Sequence, residues 1–465
     1  MKGYYLMPHP PIIIPEIGRG KEAEIRKSID SCSAIGHEIE RSDADTVIII
    51  TPHGTIFSDA VSLADTDNLK GNFGKFGAKN VSFNLKINKR LTGEILRQSE
   101  KSNISAVGLN RENAKAYGIS LELDHGAAVP LYFIKNLNKY EIVHITYGML
   151  SPIELYSFGM AIEKACSITD TKAVLIASGD LSHRLTKDGP YPFSPVGREF
   201  DLKLVELLRD GDFKGVFSLN ADLIKEAGEC GLRSVYILAG ALDAKTVKAD
   251  ILSYEGPFGV GYCVARFNYS EGKSIYNDLK AAGRNRHVKR LKDGNPYTVL
   301  ARRNLDNYFK TGRPLTAYDI EDQELLKDKK GVFVSLKIAG ELRGCIGTIE
   351  AAAPSVGEEI LNNSISAAFN DPRFSPLMED ELYEADISVD LLYPAASCSF
   401  EDLDPENYGV IVTAGRKRGL LLPHLEGVDT PEEQVSIALK KAGIKKGESY
   451  EIQRFRVDRF KEAGS

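Results

Sequence analysis

Short hydrophobic runs alternate with helical patterns through the first part of the chain. Three runs are rich in β-branched residues and apolar on both faces: Thr46–Thr51, 141–147 and 172–178. Such runs are typical of strands buried in a parallel sheet. Residues 22–41 and 152–166 have the periodicity of helices. This alternation predicts an α/β domain over residues 1–269, with a mostly parallel central sheet and flanking helices.

The pattern changes after Pro296. Residues 298–310 and 430–442 predict helices, and Gly331–Ile338 alternates with period two before a turn leads into a second strand at 342–349. Residues 385–393 and 408–413 predict further strands. The mixed order predicts a smaller α+β domain over residues 296–462.

Residues 270–295 hold far more Lys and Arg than acidic residues and few hydrophobic ones. This pattern predicts an exposed basic linker, partly helical, with His287 in solvent. The positive charge would also suit an RNA contact, but a solvated linker is the simpler interpretation.

Composition narrows the class of protein. With 465 residues and 43% hydrophobic residues, the chain can bury a large core, which excludes general disorder. A formal net charge of −6 argues against a nucleic-acid partner. No apolar run is long enough to span a membrane, and the N-terminus lacks a signal-peptide cleavage pattern. The six cysteines form no CxxC pair and are too sparse for a disulfide framework, so we expect a cytoplasmic protein.

Histidines follow several of the predicted strands. His9 follows an apolar segment, while His53 and His183 follow the strands at 46–51 and 172–178. Ligands of open α/β sheets bind beyond the carboxyl ends of the strands, so these imidazoles can converge. His125 lies just before a predicted helix. A single loop histidine is most often an ordinary surface residue, but four at such positions predict a metal site. The remaining helix and strand histidines, His37 and His144, are interpreted as structural.

Two imidazoles and one carboxylate form the ligand set of non-haem Fe(II) oxygenases, and the same ligands suit Mn(II) and Zn(II). Spacing does not decide which carboxylate completes the set. The candidates are Asp59, Asp124, Asp180 and Glu255. Glu255 lies in a glycine-rich turn that would permit close approach to a metal. The alternative is an ordinary turn with a solvated glutamate.

Five short motifs over residues 1–267 occur in a recognisable order. They are Met7-Pro8-His9-Pro10, Thr51-Pro52-His53-Gly54, Asp124-His125-Gly126, Ser178-Gly179-Asp180-Leu181-Ser182-His183, and Glu255 in its turn. This segment resembles the class III extradiol dioxygenase family of the LigB type, which also includes the Memo-like proteins.

The resemblance implies specific roles for these residues. His9, His53 and Glu255 would bind Fe(II), His183 would be the acid/base near the substrate, and His125 would donate a hydrogen bond to bound oxygen or substrate. Many ring-cleaving members carry Trp two residues after the Asp-His-Gly motif, where this chain has Ala128 and no Trp anywhere. That difference predicts the loss of an aromatic pocket wall and counts against cleavage of a simple catechol.

Residues 296–460 resemble the AMMECR-type domain. The signature is Leu342-Arg343-Gly344-Cys345-Ile346-Gly347-Thr348, with further matches at 370–374, 418–423 and 427–434. The fusion of the two domain types is similar to a component of the AmmeMemoRadiSam system, which implies a radical-SAM protein as partner.

Cys345 stands between two glycines in the predicted hairpin of this second domain. It is a candidate nucleophile or soft metal ligand, activated by the cation of Arg343, with His424 as a possible partner. The favoured interpretation is a small, buried and unreactive residue.

We therefore predict a non-haem Fe(II)-dependent oxidoreductase of the extradiol type, which incorporates O2 into a catechol-like or other small chelating substrate. One alternative is a metal-binding scaffold, without turnover, that works with a radical-SAM protein. Another is a metal-assisted, non-oxidative enzyme that uses Zn(II). A homo-oligomer is left open by the sequence.

Overall fold

A computed structural model of the protein describes residues 1–425, 427–445 and 447–462. The chain divides into two compact units, Met1–Ala282 and Gly283–Ser465. In the first unit the strands are β1 (Gly3–Met7), β2 (Thr46–Thr51), β3 (Val61–Ala64), β4 (Asn68–Phe73), β5 (Ala78–Lys86), β6 (Ala106–Leu109), β7 (Glu141–Thr146), β8 (Ala173–Ser178), β9 (Lys245–Glu255) and β10 (Tyr262–Glu271).

The helices of this part of the chain are α1 (Pro15–Gly18), α2 (Arg26–Arg41), α3 (Lys89–Lys101), α4 (Arg111–Tyr117), α5 (His125–Tyr132), α6 (Pro152–Thr169), α7 (Gly197–Asp210), α8 (Phe213–Val216), α9 (Ala221–Ala227), α10 (Leu232–Ala241) and α11 (Tyr276–Asp293). The boundary between the two units falls within α11.

Eight strands form one sheet in the order β6-β3-β7-β2-β8-β1-β10-β9. The central strands β7, β2, β8 and β1 are parallel neighbours. At one edge, β10 and β9 add antiparallel strands, and β4 and β5 form a separate hairpin. The predicted α/β architecture with a mostly parallel sheet is confirmed.

The central strands are buried because both faces of the sheet are covered. Successive side chains of a strand point to opposite faces. In β2, Ile48 and Ile50 join one hydrophobic cluster, whereas Val47 and Ile49 join another on the opposite face. These strands therefore need continuous hydrophobic runs. The polar side chains that could act in a site lie in the loops at the strand ends.

His287 corrects one expectation about the basic segment. It lies in α11, only 5% exposed, and was wrongly predicted to be in solvent. Its Nε2 lies 2.9 Å from a carboxylate oxygen of Asp306, and its Nδ1 lies 2.8 Å from a guanidinium nitrogen of Arg302. These partners lie further along the chain, so local charge gave no sign of the burial.

The second unit is α+β, as predicted. Its strands are β11 (Gly331–Ile338), β12 (Glu341–Gly347), β13 (Asp386–Leu392), β14 (Ala396–Ser397), β15 (Gly409–Ala414), β16 (Lys417–Leu421), β17 (Glu451–Phe455) and β18 (Val457–Lys461). Its further helices are α12 (Pro296–Thr311), α13 (Val356–Phe369), α14 (Glu379–Glu384) and α15 (Pro431–Ala442). The strands form two antiparallel sheets, β12-β11-β13-β18 and β14-β17-β15-β16.

Within the described ranges, no helix has the length and hydrophobicity that crossing a bilayer requires.

Candidate metal centre

Three histidines gather beyond the carboxyl ends of the central strands. His9 follows β1, His53 follows β2, and His125 opens α5. Their candidate ligand atoms all lie within 4.8 Å of one another, and the Nε2 atoms of His9 and His53 are 2.9 Å apart. The His53 and His125 rings stack with their centroids 4.2 Å apart. They converge because β2 and β1 both pair with β8 in parallel, so their ends lie at one edge.

Ser178 at the end of β8 fixes the orientation of His9. Its hydroxyl donates a hydrogen bond to the carbonyl of Gly126 and lies 3.0 Å from Nδ1 of His9. The Ser178 oxygen therefore accepts a hydrogen bond from the Nδ1–H of His9. This tautomer leaves the lone pair on Nε2, which faces His53 and is available to a cation.

Asp124 anchors the start of α5, next to His125. Its carboxylate caps the helix by accepting the N–H of Ala127 and also accepts the Thr51 hydroxyl at 2.5 Å. Nε2 of His144 lies 2.7 Å from the other oxygen. Burial alone would raise the pKa of Asp124, but these contacts hold it well below its usual value. Both oxygens of Asp124 are thus occupied, one of them by His144.

The imidazoles of the cluster favour the neutral form that binds metals. Burial and the neighbouring imidazole hold the pKa of His9 well below its usual value. Burial and two neighbouring imidazoles lower the pKa of His125 to about 4, and partial burial lowers that of His53. Two neutral nitrogens at 2.9 Å need a proton or a cation between them. Two nitrogens that bind one cation at about 2.1 Å, with an angle of about 90° between the two bonds, would lie roughly 3 Å apart. The observed separation of the two nitrogens therefore fits a shared metal ion.

Cys230 is a candidate ligand that we did not predict from the sequence. Its Sγ lies 3.6 Å from Nε2 of His9. Burial raises the pKa of this thiol well above its usual value, but a bound divalent cation would favour the thiolate. A close approach of two backbones brings Cys230 here: a Cβ on Gly179 would lie 2.1 Å from the Cα of Gly231. In the sequence, the two glycines were the features that could have indicated this close approach.

Asp180 is the candidate carboxylate that contacts His9. One oxygen accepts the backbone N–H of His9 at 2.9 Å, and the other lies 3.8 Å from its Nε2. The side chain is buried, and burial raises the pKa of Asp180 to about 6. A cation at the histidines would oppose this desolvation and favour the carboxylate.

The structure does not bring Glu255 or Asp59 into the histidine cluster. Glu255 ends β9, the edge strand of the sheet, and its carboxylate accepts the N–H and the hydroxyl of Ser28 at 2.8 and 2.9 Å. Asp59 is exposed. Among the described residues, the group of ligand atoms within 4.8 Å comprises the three histidines alone.

Aromatic rings line this region although Trp is missing. Ala128 is buried in the core and adds no wall. The Phe76 ring instead lies edge-on to His125 with the centroids 5.4 Å apart, and Tyr191 stacks on His183 at 5.1 Å. Aromatic residues from loops distant in sequence therefore supply rings where the missing Trp predicted none. Burial lowers the pKa of His183, which keeps its imidazole neutral and able to accept a proton.

A cavity of about 290 Å³ opens beside His53, and we call it the His53 cavity. Its polar lining includes Lys75, Glu122, Asp124 and His144. Its hydrophobic lining comprises Ala64, Leu69, Leu109, Ile119, Leu121 and Leu123. The volume is at the lower end for small-molecule sites, so the cavity suits a small ligand with one apolar face.

In the second unit, the three predicted residues have separate partners. Arg343 forms an ion pair with Glu381 at 2.7 Å, and His424 is exposed beside Glu406. The sulfur of Cys345 accepts a hydrogen bond from the hydroxyl of Ser335 at 3.1 Å, and burial raises the pKa of the thiol. This surrounding fits the interpretation of Cys345 as an unreactive residue better than that of an activated nucleophile.

The fold and the histidine cluster define an α/β protein with a candidate metal centre. Residues 3–265 match the family described as the catalytic LigB subunit of aromatic ring-opening dioxygenase, and residues 298–462 match AMMECR1. The chain belongs to the LigB family and carries an AMMECR1 domain fused to it. Members of the LigB family use a metal.

The chain is similar to one protein over its whole length and to others over a single part. Protein CA_C1420 of Clostridium acetobutylicum is 48% identical over 466 residues, which covers 100% of both chains. A protein of Thermotoga maritima is 46% identical over 169 residues, covering 36% of this chain and 97% of its own. The solved structure of the uncharacterized protein JW3007 of Escherichia coli K12 covers 57% of this chain and 99% of its own, at 12% identity and a TM-score of 0.39.

Proposed function

We propose that the first unit is a ferrous-iron-dependent oxidoreductase of the extradiol type, acting with O2 on a small chelating substrate. The observation that carries the proposal is the convergence of His9, His53 and His125 at the carboxyl edge of a LigB-type sheet. The donor set fits a divalent cation, since imidazole suits Fe, Zn and Cu. Bound ferrous iron would supply the redox chemistry with O2.

The residues of the chain would divide the work as follows. His9 and His53 would hold the metal through ring nitrogens that the strand ends position, and Ser178 would fix the tautomer of His9. Cys230 and Asp180 lie on the His9 side and are the candidates for a further ligand. We leave Glu255 out of the proposed set because it lies outside the histidine group and one of its oxygens is held by Ser28.

Two other histidines would handle substrate protons. His125 stacks on His53 and would donate a hydrogen bond to a substrate oxygen. His183 is neutral because burial lowers its pKa, so it would accept the proton of a substrate hydroxyl. Tyr191 stacks on the His183 ring and would keep it oriented.

The test is metal content together with O2 consumption. Protein reconstituted anaerobically with Fe(II) should hold one iron per chain and consume O2 with some members of a panel of small chelating substrates. His9→Ala and His53→Ala should lose the iron, whereas His183→Ala should keep the iron and lose turnover. His37→Ala is the matched control, since His37 is exposed on α2. Absence of bound iron in the wild-type protein would refute the proposal.

The position of Cys230 favours a second candidate, a non-oxidative metal-assisted reaction. Thiolate ligands select Zn(II) or Cu(I) over harder cations. If Cys230 binds the metal, Zn(II) would activate water or polarise a carbonyl without O2. Turnover by Zn(II)-loaded protein under strictly anaerobic conditions would favour this candidate over the oxidoreductase.

A further inference from the structure

The hairpin of β4 and β5 carries a charged tip beside the histidine cluster. Lys75 and Phe76 lie in the short turn at Gly74–Phe76 that joins the two strands. The Phe76 ring contacts His125, and Lys75 lines the His53 cavity together with His53 itself. Two consecutive residues therefore place an aromatic surface and a cation beside the candidate metal centre.

Lys75 is exposed, and among the described residues no carboxylate forms an ion pair with it. The two acidic residues of the cavity lining differ in whether their carboxylates are free to bind a ligand. Asp124 is occupied by Thr51, Ala127 and His144. Glu122 is exposed and lines the same cavity, so a cationic ligand is the alternative that a test must exclude.

Lys75 and His53 line the same cavity, so the Lys75 ammonium and the His53 imidazole can both contact a ligand bound there. An ammonium in such a position is a strong partner for a ligand carboxylate or phosphate.

We propose that Lys75 anchors a small organic anion in the His53 cavity, so that the site takes substrates that carry a carboxylate or phosphate group. This assignment rests on the proposed function for its substrate class, but ligand binding can be measured without metal. The apolar lining would receive the body of the ligand, and Phe76 would cover it.

The test uses the full chain, freed of metal, and isothermal titration with four probes: benzoate, phenyl phosphate, neutral benzamide and benzylamine. We expect saturable binding of benzoate or phenyl phosphate, with weaker binding of the other two. A difference in affinity between benzoate and phenyl phosphate identifies whether the site prefers a carboxylate or a phosphate. Lys75→Gln should weaken anion binding about tenfold, which is the loss of one charge-assisted hydrogen bond, and Lys75→Arg should largely restore it.

Lys79→Gln is the matched control, since Lys79 is an exposed lysine on the same hairpin, in β5, that does not line the cavity. Equal losses in Lys75→Gln and Lys79→Gln, tighter binding of benzylamine or benzamide, or no saturable anion binding would overturn the proposal. Because the protein is metal-free, these results are independent of whether it binds iron. Iron-dependent O2 uptake without anion binding would leave the proposed function intact and remove Lys75 from it.

Discussion

The hydroxyl of Ser178 accepts a hydrogen bond from Nδ1 of His9 at 3.0 Å, and this contact selects the His9 tautomer that presents a lone pair to His53. The hydroxyl is itself oriented, since it donates to the carbonyl of Gly126. Strand β8 therefore contributes to the candidate metal centre without supplying a ligand from within the strand.

Replacing Ser178 by Ala should weaken metal binding without abolishing it. The variant loses the group that fixes the His9 tautomer and ring orientation, and loss of such a partner typically costs about 10–100-fold in metal affinity. A competition titration against a chelator of known affinity measures the change. Ser157→Ala is the control, since the Ser157 hydroxyl bonds to a carbonyl of its own helix. Equal affinities in wild type and Ser178→Ala would contradict this account of His9.

Cys230→Ser should change which metal is preferred. If the thiolate is a ligand, the variant should lose affinity for Zn(II) more than for Fe(II), because a hydroxyl is a harder and weaker donor. Parallel titrations with the two metals measure the ratio of affinities. Cys398→Ser, at a half-buried cysteine in the second unit, is the control. An unchanged ratio would remove Cys230 from the ligand set.

The histidines could be predicted from the sequence because their positions depend on local features. His9 and His53 follow hydrophobic runs, and adjacent parallel strands bring such ends together. Cys230 could not be predicted in this way. It reaches His9 where Gly179 packs closely on Gly231, a contact between parts of the chain about fifty residues apart.

For Glu255 and His287, the sequence predicted an environment that differs from the one in the structure. The glycine-rich turn after Glu255 is present, but this residue ends an edge strand and Ser28 occupies one of its carboxylate oxygens. His287 lies in a basic segment that predicts solvent exposure, yet Asp306 and Arg302 bury it. In both cases the environment comes from residues that local pattern and charge do not reveal.

Cys345 should react slowly with alkylating reagents at neutral pH. Burial raises its pKa, and the thiolate is the reactive form. A raised pKa means that the protonated thiol persists to higher pH, so the alkylation rate should still be rising above pH 9. Iodoacetamide labelling followed by peptide mass spectrometry, from pH 7 to 10, measures the rate at this cysteine. Rapid labelling at pH 7 that no longer increases with pH would instead identify Cys345 as an activated nucleophile.

Glu462→Gln should strongly destabilise the second unit. The Glu462 carboxylate and the Arg302 guanidinium are fully buried and joined by two hydrogen bonds of 2.6 and 2.7 Å. The substitution leaves a buried guanidinium without its counter-charge, at a cost of about 3–5 kcal/mol in the free energy of unfolding. Urea denaturation of the full chain, followed by circular dichroism, measures this loss.

The control is Glu350→Gln, which removes an exposed partner of Arg418 and should cost no more than about 1 kcal/mol. Replacing both buried partners, as Arg302→Met with Glu462→Leu, should recover part of the lost stability because the Arg302 guanidinium is removed together with its counter-charge, while Arg290 keeps its ion pair with Asp386. Similar stability in Glu462→Gln and Glu350→Gln would mean that the guanidinium of Arg302 finds compensation elsewhere. The carbonyls of Leu382 and Ala385, which already accept hydrogen bonds from it, would be the groups to examine.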